Sequence, residues 1–314
     1  MVDHRPSVIF VMGSTASGKT ALACKAYDTL DVELINVDSV QVYQGMDVGS
    51  AKLSEQELAQ YPHHLIDIRK PSEAYNASAF RDDAVSLIKA IHQRGKTPLF
   101  VGGTMLYFKA LLEGVAQLPE ADASVRKALL DEAEKQGWPA LHQQLEQIDP
   151  TSAQRIKPKD GQRLQRALEV FRQTGETLTS FFQAQQDQRL DYPLLQIGLS
   201  PFSRTVLHER INERFDFMMQ AGFLNEVERL RANPENHLDL PAFRSAGYKQ
   251  LWKHLDGVYD LTQAVEKSKA ITRQLAKRQV TWLRGWSNEL QLMDTDQPMH
   301  QKQALALMSD FVHR

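Results

Sequence analysis

Cysteine is almost missing from this sequence: Cys24 stands alone. One thiol makes an intrachain disulfide impossible and leaves no thiolate metal cluster. It falls four residues past Thr20, inside a helical pattern, where a small buried thiol is the natural reading. Long apolar runs are also missing. Nowhere do about 18 apolar residues follow one another, and the opening MVDHRPS carries no apolar signal segment. No membrane association is therefore expected, and the cytoplasm is the expected location. Excess charge is the third absence. The 37 Lys and Arg nearly balance 39 Asp and Glu, a formal net of −2. That gives no global field for capturing nucleic acid, so any such contact must come from a local basic surface.

The chain has 314 residues, 42% of them hydrophobic, enough to bury a substantial core in one large domain or two smaller ones. Short apolar runs read as buried parallel strands: SVIFVM (7–12), VELINV (32–37), HLIDI (64–68), PLFVGG (98–103) and LLQIGL (194–199). Polar stretches of helical period separate the first four. Between Ala77 and Arg94, for example, Phe80, Ala84, Leu87, Ile88 and Ile91 recur at three- and four-residue steps. Strands alternating with helices predict an α/β fold, a parallel sheet flanked by helices.

The fifth strand comes late. From Gly114 to Tyr192 the sequence reads as helices only: VRKALLDEAEKQ, WPALHQQLEQI, DGQRLQRALEVFRQ and SFFQAQQDQ. The expected organisation is an α/β core begun over 1–114, an all-helical insertion over 115–193, and a core completed over 194–314 by a strand and C-terminal helices. Helices are expected from Arg204 to about Arg231 and from Leu261 to about Trp286, with one more amphipathic helix after about Asp294.

Directly after the first strand stands GSTASGKT: Gly13, Ser14, Thr15, Ala16, Ser17, Gly18, Lys19 and Thr20. This is the form of a phosphate-binding loop. Its glycines let backbone N–H groups turn towards an anion at a helix N-terminus, Lys19 adds a point charge, and the Thr20 hydroxyl is the usual ligand to Mg²⁺. The second strand delivers Asp38 at its C-terminal end, where strands of a doubly wound sheet converge on the ligand crevice. Three roles are open to it: metal ligand, general base, or cap of the following turn. The fourth strand runs into GGTMLY (102–107) with no carboxylate, unlike a nucleotide-hydrolysing protein that holds Mg²⁺ there. No N-K-x-D guanine-reading motif occurs, which disfavours a switch GTPase. Thr104 is expected to point its hydroxyl into the crevice that Asp38 enters.

Basic residues cluster locally. Arg163, Arg166 and Arg172 punctuate one amphipathic helix, and RTVLHERINERF carries Arg204, Arg210 and Arg214 after the fifth strand, where Arg210 or Arg214 is placed to clamp a pyrophosphate. KAITRQLAKRQVTWLRGW (269–286) has Lys269, Arg273, Lys277, Arg278 and Arg284 without one acidic residue, interleaved with Trp282 and Trp286. That bias suits a nucleic-acid backbone, whereas the tryptophans taken alone read more naturally as core. His63 and His64 have no further ligand at metal spacing, so they read as structural or positioning residues.

The ordered set GSTASGKT, DSVQVYQGMDVGSAK, HHLIDI, LFVGGTMLYFKALLEG, QRLQRALEVFRQTG, AFRSAGYKQ and LAKRQVTWLRGW resembles the tRNA dimethylallyltransferase family over essentially the whole chain. Ser14 departs from the proline usual in that family; the ring makes no contact the chemistry requires. The resemblance implies that the loop holds the pyrophosphate of dimethylallyl diphosphate, with Mg²⁺, and that the prenyl group goes to N6 of adenine 37 beside the anticodon. Asp38 would accept the amine proton, Thr104 would orient the amine or a diphosphate oxygen, and Lys19 and Arg214 would stabilise the departing charge. RNA contacts would come from Asp38, Ser39, Val40 and Gln41, from Arg126, from Gln162, Arg163, Leu164, Gln165 and Arg166, from Phe243, Arg244, Ser245, Ala246, Gly247 and Tyr248, and from Lys277 and Arg278. The insertion would grip the anticodon stem-loop, and a monomer is the expected working unit. Two other readings compete: a small-molecule kinase with ATP in the loop, and a nucleotide-gated RNA-binding module without chemistry of its own.

Overall fold

A computed structural model describes residues 6–116, 118–184, 188–287 and 289–313. The opening residues up to Arg5 and positions 185–187, where the helix read as SFFQAQQDQ runs on, lie outside the described residues. The chain forms two compact units, one of Met1–Lys109 with Asp191–Arg314, the other of Ala110–Leu190. Strands are β1 (Val8–Gly13), β2 (Val32–Val37), β3 (His63–His64), β4 (Thr97–Gly102), β5 (Leu194–Ser200) and β6 (Gln291–Asp294). Helices before the fifth strand are α1 (Lys19–Thr29), α2 (Glu55–Gln60), α3 (Ala77–Gln93), α4 (Met105–Glu113), α5 (Ala123–Gln136), α6 (Trp138–Ile148), α7 (Pro150–Arg155), α8 (Gly161–Thr174) and α9 (Leu178–Ala184). After it come α10 (Arg204–Gln220), α11 (Phe223–Ala232), α12 (Tyr248–Leu255), α13 (Leu261–Arg284) and α14 (His300–Val312). No described helix is long and apolar enough to cross a membrane.

The larger unit is built on one parallel sheet in the order β3-β2-β4-β1-β5-β6. The central strands are apolar on both faces because helices cover both. Along β1, Ile9 and Val11 join Leu22, Ala23, Leu34, Leu99, Ile197 and Met308 in one core. The alternate residue Phe10 meets Phe100 and Phe108 edge-on or tilted, at 5.6 and 5.0 Å. The helical period read over 77–94 is α3, which buries Phe80, Ala84, Ile88 and Ile91.

Two strand expectations are corrected. HLIDI stops being a strand after His64, because Leu65 and Asp67 adopt left-handed backbone at φ 64° and 56°. The carbonyl of Leu65 instead accepts from the buried Asn36 side chain at 3.2 Å. The short β6 was not expected; of its four residues at a sheet edge two are exposed and two half-buried, and the strand is too brief and too wet to announce itself as an apolar run. The single helix expected over 204–231 is two, broken where Gly222 takes φ 94°.

The smaller unit is helical and packs Leu129, Leu141, Leu145, Leu164, Leu168 and Val170 into its own core. Asp149-Pro150 ends one helix and starts the short α7, with proline in its first turn and the Asp149 carboxylate capping Ser152 N–H at 3.0 Å. The Glu169 carboxylate, fully buried, accepts from Asp122 N–H, Arg126 Nε and Arg166 Nη1 at 3.1, 2.9 and 3.1 Å.

At the C-terminal end of the sheet the strands approach so closely that side chains are excluded. A Cβ on Gly102 would stand 2.0 Å from the carbonyl oxygen of Val37. Gly102→Ala is therefore expected to destabilise the protein by about 2 kcal/mol or more, because the clash is with backbone that cannot yield alone. Gly257→Ala meets open space and pays only for its φ of 74°, about 1 kcal/mol. Denaturant titration of both variants checks this; equal losses at the two sites would contradict it.

Candidate functional site

The ends of β1, β2 and β4 open into a cleft of about 190 Å³, lined within the larger unit by the phosphate loop, by the segments after β2, and by α10 and α13. Loop geometry follows from its glycines. Gly18 sits at φ 80° as the residue before α1, and a Cβ on Gly13 would come within 2.5 Å of Leu199 O. Ser14 N–H donates to that same carbonyl, and the hydroxyls of Ser14 and Ser200 lie 3.4 Å apart. Ala16 takes φ 59°, and Ser17 is buried.

Lys19 folds back over the loop, donating to Ser14 O at 2.6 Å and to Ser17 Oγ at 3.4 Å. Burial pushes its ammonium pKa down to about 7, the nearby Arg214 guanidinium lowers it further, and the Asp38 carboxylate opposes both. Arg214 donates to Thr15 Oγ1 at 3.0 Å, and burial lowers its pKa as well, again against Asp38. Two half-buried cations thus line one space, with Thr20 on the same lining.

From that end α10 carries an apolar stripe along the cleft: Ile211, Phe215 and Met218 all line it. Ala16 of the phosphate loop packs against the cluster that holds Ile211, so the stripe begins near that loop and extends about 10 Å along the helix to Met218, with Arg214 between Ile211 and Phe215. The lining also includes Asp38, Val40, Gln41, Leu53 and His63.

Asp38 Oδ1 accepts from the N–H groups of Val40 and Gln41 at 2.8 and 3.3 Å, so it does cap the turn after β2. Its other oxygen makes no hydrogen bond among the described residues, and the side chain lines the cleft, so capping leaves it free for chemistry. Thr104 does not line the cleft; its hydroxyl accepts from Ser39 N–H at 3.1 Å and ties the two strand ends together. His63 bonds Tyr61 O through Nδ1 and burial lowers its pKa, while His64 pairs with Glu33.

The other expected RNA contacts divide by burial. Ser245 and Ala246 line the cleft, and Arg244, Lys277 and Arg278 are exposed. Phe243 and Tyr248 have their side chains wholly in the core, and Gly247, at φ 92°, is closed in by Phe223. Side-chain contact with RNA is excluded for Phe243 and Tyr248, which hold the segment in place instead. In the smaller unit Leu164 is fully buried in the helical core, which excludes it likewise, because the apolar face of α8 is turned inward. Gln162 and Arg163 are exposed; Gln165 bonds Arg126 O, and Arg126 and Arg166 share Glu169. Arg210, the alternative pyrophosphate clamp, pairs with Asp296 and Thr295.

Two site residues escaped the sequence reading. Gln279 on α13 accepts from Thr15 N–H at 2.8 Å and donates to Gly103 O at 2.9 Å, bracing the phosphate loop against the end of β4. Glu226 on α11 is buried beneath the loop that follows Asp38, accepting from Asp47, Val48 and Gly49 N–H. A signal existed for both: each is a polar residue at core spacing, Gln279 between Ala276 and Leu283, Glu226 beside Phe223 and Val227.

A family model described as IPP transferase matches residues 41–286. A full-length tRNA isopentenylpyrophosphate transferase from Bacillus halodurans is 35% identical, with a TM-score of 0.70 over 98% of this chain and 96% of that one. A tRNA delta(2)-isopentenylpyrophosphate transferase from Staphylococcus epidermidis is 36% identical, with a TM-score of 0.70 over 98% and 99%. A eukaryotic dimethylallyltransferase, crystallised acting on tRNA, is 28% identical, with a TM-score of 0.77 over 98% of this chain and 79% of its own.

The Lys19 ammonium gives a pH prediction. An anion bound beside it raises its pKa from about 7, so above that pH binding must add the proton back. Titration calorimetry with inorganic diphosphate at pH 8 is expected to show proton uptake, as heat that varies with buffer ionisation, and affinity should weaken as pH rises through 7. Lys19→Met should abolish the uptake; its persistence in that variant would refute the assignment.

Proposed function

The chain belongs to the IPP transferase family, and from that premise we propose that it transfers a dimethylallyl group from dimethylallyl diphosphate to N6 of adenine 37, next to the anticodon of tRNA, releasing diphosphate. The observation that carries this reading is the order of features along one cleft. The phosphate loop and Lys19 stand at one end, the apolar stripe of α10 follows with Arg214 within it, and the Asp38 carboxylate shares the lining. A diphosphate and a short hydrocarbon tail match that order.

In the proposed step the allylic C1–O bond breaks as a bond from adenine N6 to C1 forms. The oxygen leaves with its electron pair as diphosphate, and Lys19, Arg214 and the loop N–H groups stabilise that growing charge. N6 sheds one proton, which Asp38 accepts through the oxygen not engaged in the turn. Ile211, Phe215 and Met218 keep water from the allylic carbon. The Thr20 hydroxyl lines the cleft beside the cations, whereas no group of three His, Cys, Asp or Glu among the described residues could hold a metal. That donor set fits Mg²⁺, which binds through one protein oxygen together with phosphate oxygens and water. When bound, the ion would neutralise part of the diphosphate charge.

Adenine 37 must leave the stack of the anticodon loop to enter so enclosed a cleft. Exposed Arg244, Lys277 and Arg278 are suited to the RNA backbone, and the helical unit of 110–190, with Gln162 and Arg163 exposed, to the anticodon stem. The cleft is complete within one chain, which supports action as a monomer. A kinase using ATP is not favoured: β4 ends in Gly102-Gly103-Thr104 without a carboxylate, and the tail of the cleft is apolar.

The deciding experiment mixes protein, Mg²⁺ and an unmodified anticodon stem-loop with dimethylallyl diphosphate or ATP, read by mass spectrometry. The RNA is expected to gain one five-carbon unit with the allyl diphosphate only. An unchanged RNA together with ATP consumption would favour the kinase. Asp38→Asn should keep the turn yet lose about 10²- to 10⁴-fold in turnover, as removal of a general base does; near-full turnover would remove Asp38 from that role.

A further inference from the structure

Glu226 is 1% exposed, and no Lys or Arg pairs with it among the described residues. Four donors converge on it instead. Asp47 and Val48 N–H donate to Oε2 at 3.0 and 2.7 Å, while Gly49 N–H and the Tyr248 hydroxyl donate to Oε1 at 3.0 and 2.6 Å. A carboxylate suits this place because it only accepts; an amide would turn an NH₂ group onto donors.

Those donors come from two separate segments that wall the cleft. Asp47 to Gly49 lead into Gly49–Ala51 on one wall, and Tyr248 closes the segment whose Ser245 and Ala246 line the other. Phe223, one turn before Glu226, bridges the same walls by packing. A Cβ on Gly49 would lie 2.0 Å from its ring, and one on Gly247 would lie 2.7 Å away. The ring also meets Phe215, part of the apolar stripe, at 6.0 Å. Because α10 runs from Ile211, whose cluster packs Ala16 of the phosphate loop, towards this contact at Phe215, the bridge stands farther along the helix than the phosphate loop and Lys19.

We propose, resting on the transferase reading, that Glu226 is a positioning residue: it fixes the spacing of the two walls and so the approach of the acceptor base to the allylic carbon. It touches no reacting atom. Its loss widens the acceptor end and leaves the diphosphate end as built.

The test compares the full-length protein with Glu226→Gln and Tyr248→Phe. Three quantities are read: hydrogen exchange of the Asp47–Gly49 amides, affinity for inorganic diphosphate, and kcat and KM for an anticodon stem-loop. Glu226→Gln is expected to speed exchange at those amides by about tenfold or more. It should lower kcat/KM for the RNA by about 10- to 100-fold, the scale of a small misplacement, with diphosphate affinity held within about twofold. Tyr248→Phe should shift the same quantities in the same direction but less, since three amides still hold the carboxylate. An active wild type with an unaffected Glu226→Gln variant would overturn the positioning role alone. So would a variant whose diphosphate affinity and Tm fall together with kcat/KM, since that pattern marks general loss of structure. A wild type that transfers no prenyl group would overturn the transferase reading itself.

Discussion

Lys19 and Arg214 are both half-buried in one cleft, and neither hydrogen-bonds a carboxylate among the described residues. Two like charges taken out of water and set against each other are costly to hold, and here the cost shows as a depressed pKa on each. What touches them is neutral, the Ser14 carbonyl under the ammonium and the Thr15 hydroxyl under the guanidinium, and the one compensating charge, Asp38, acts across space. Such a site is incomplete by design of its charges. An anion entering it removes repulsion and supplies the missing partner at once, and the N-terminus of α1 adds its dipole in the same sense.

That constraint reaches into the scaffold. Around the same cleft the backbone elements approach more closely than side chains allow. Gly13 lies against Leu199 of β5, Gly102 against Val37 of β2, and Gly103 against Gln279 of α13. Gln279 then carries the bracing function, since it reaches both the Thr15 N–H and the Gly103 carbonyl from a helix that closes the cleft. The Thr104 hydroxyl accepting from Ser39 N–H performs a similar task between β4 and the turn after β2. Rigidity at the ends of the sheet is thus built largely from neutral hydrogen bonds, which leaves the local field to the cations.

Much of this was legible in the sequence, and the parts that were not share a cause. The α/β alternation, the phosphate loop and the strand-end position of Asp38 are local patterns, each set by residues close together in the chain. Asp38 was left open between metal ligand, general base and cap; the structure shows one oxygen engaged in the cap and the other without a hydrogen bond among the described residues, a distinction no spacing can express. Phe243, Tyr248 and Leu164 were read with their polar neighbours as RNA contacts, but side chains one or two residues apart on a helix or turn face different ways, and these three face inward. Glu226 and Gln279 were passed over because their partners are backbone groups 177 to 179 and 264 or 176 residues away. Backbone amides carry no sequence signature, so only the oddity of a polar residue at core spacing pointed to them.

A phosphate loop alone does not decide between attack at phosphorus and attack at carbon, and the rest of the cleft does. Phosphoryl transfer needs a nucleophile in line with the phosphorus and a strand-end carboxylate holding the metal between phosphates. Here the fourth strand ends in Gly102-Gly103-Thr104, and the Thr104 hydroxyl accepts from Ser39 N–H. Attack at carbon asks something else: charge compensation at one end, and at the other a dry wall where an electron-poor carbon survives until its nucleophile arrives. Ile211, Phe215 and Met218 offer such a wall, beginning near the phosphate loop because Ala16 packs against the cluster that holds Ile211. Arg214 rises from the same helix between Ile211 and Phe215. On the proposed reading one helix would thus set both the cation that draws the leaving group and the surface that shelters the carbon it leaves, at a spacing fixed by helix geometry.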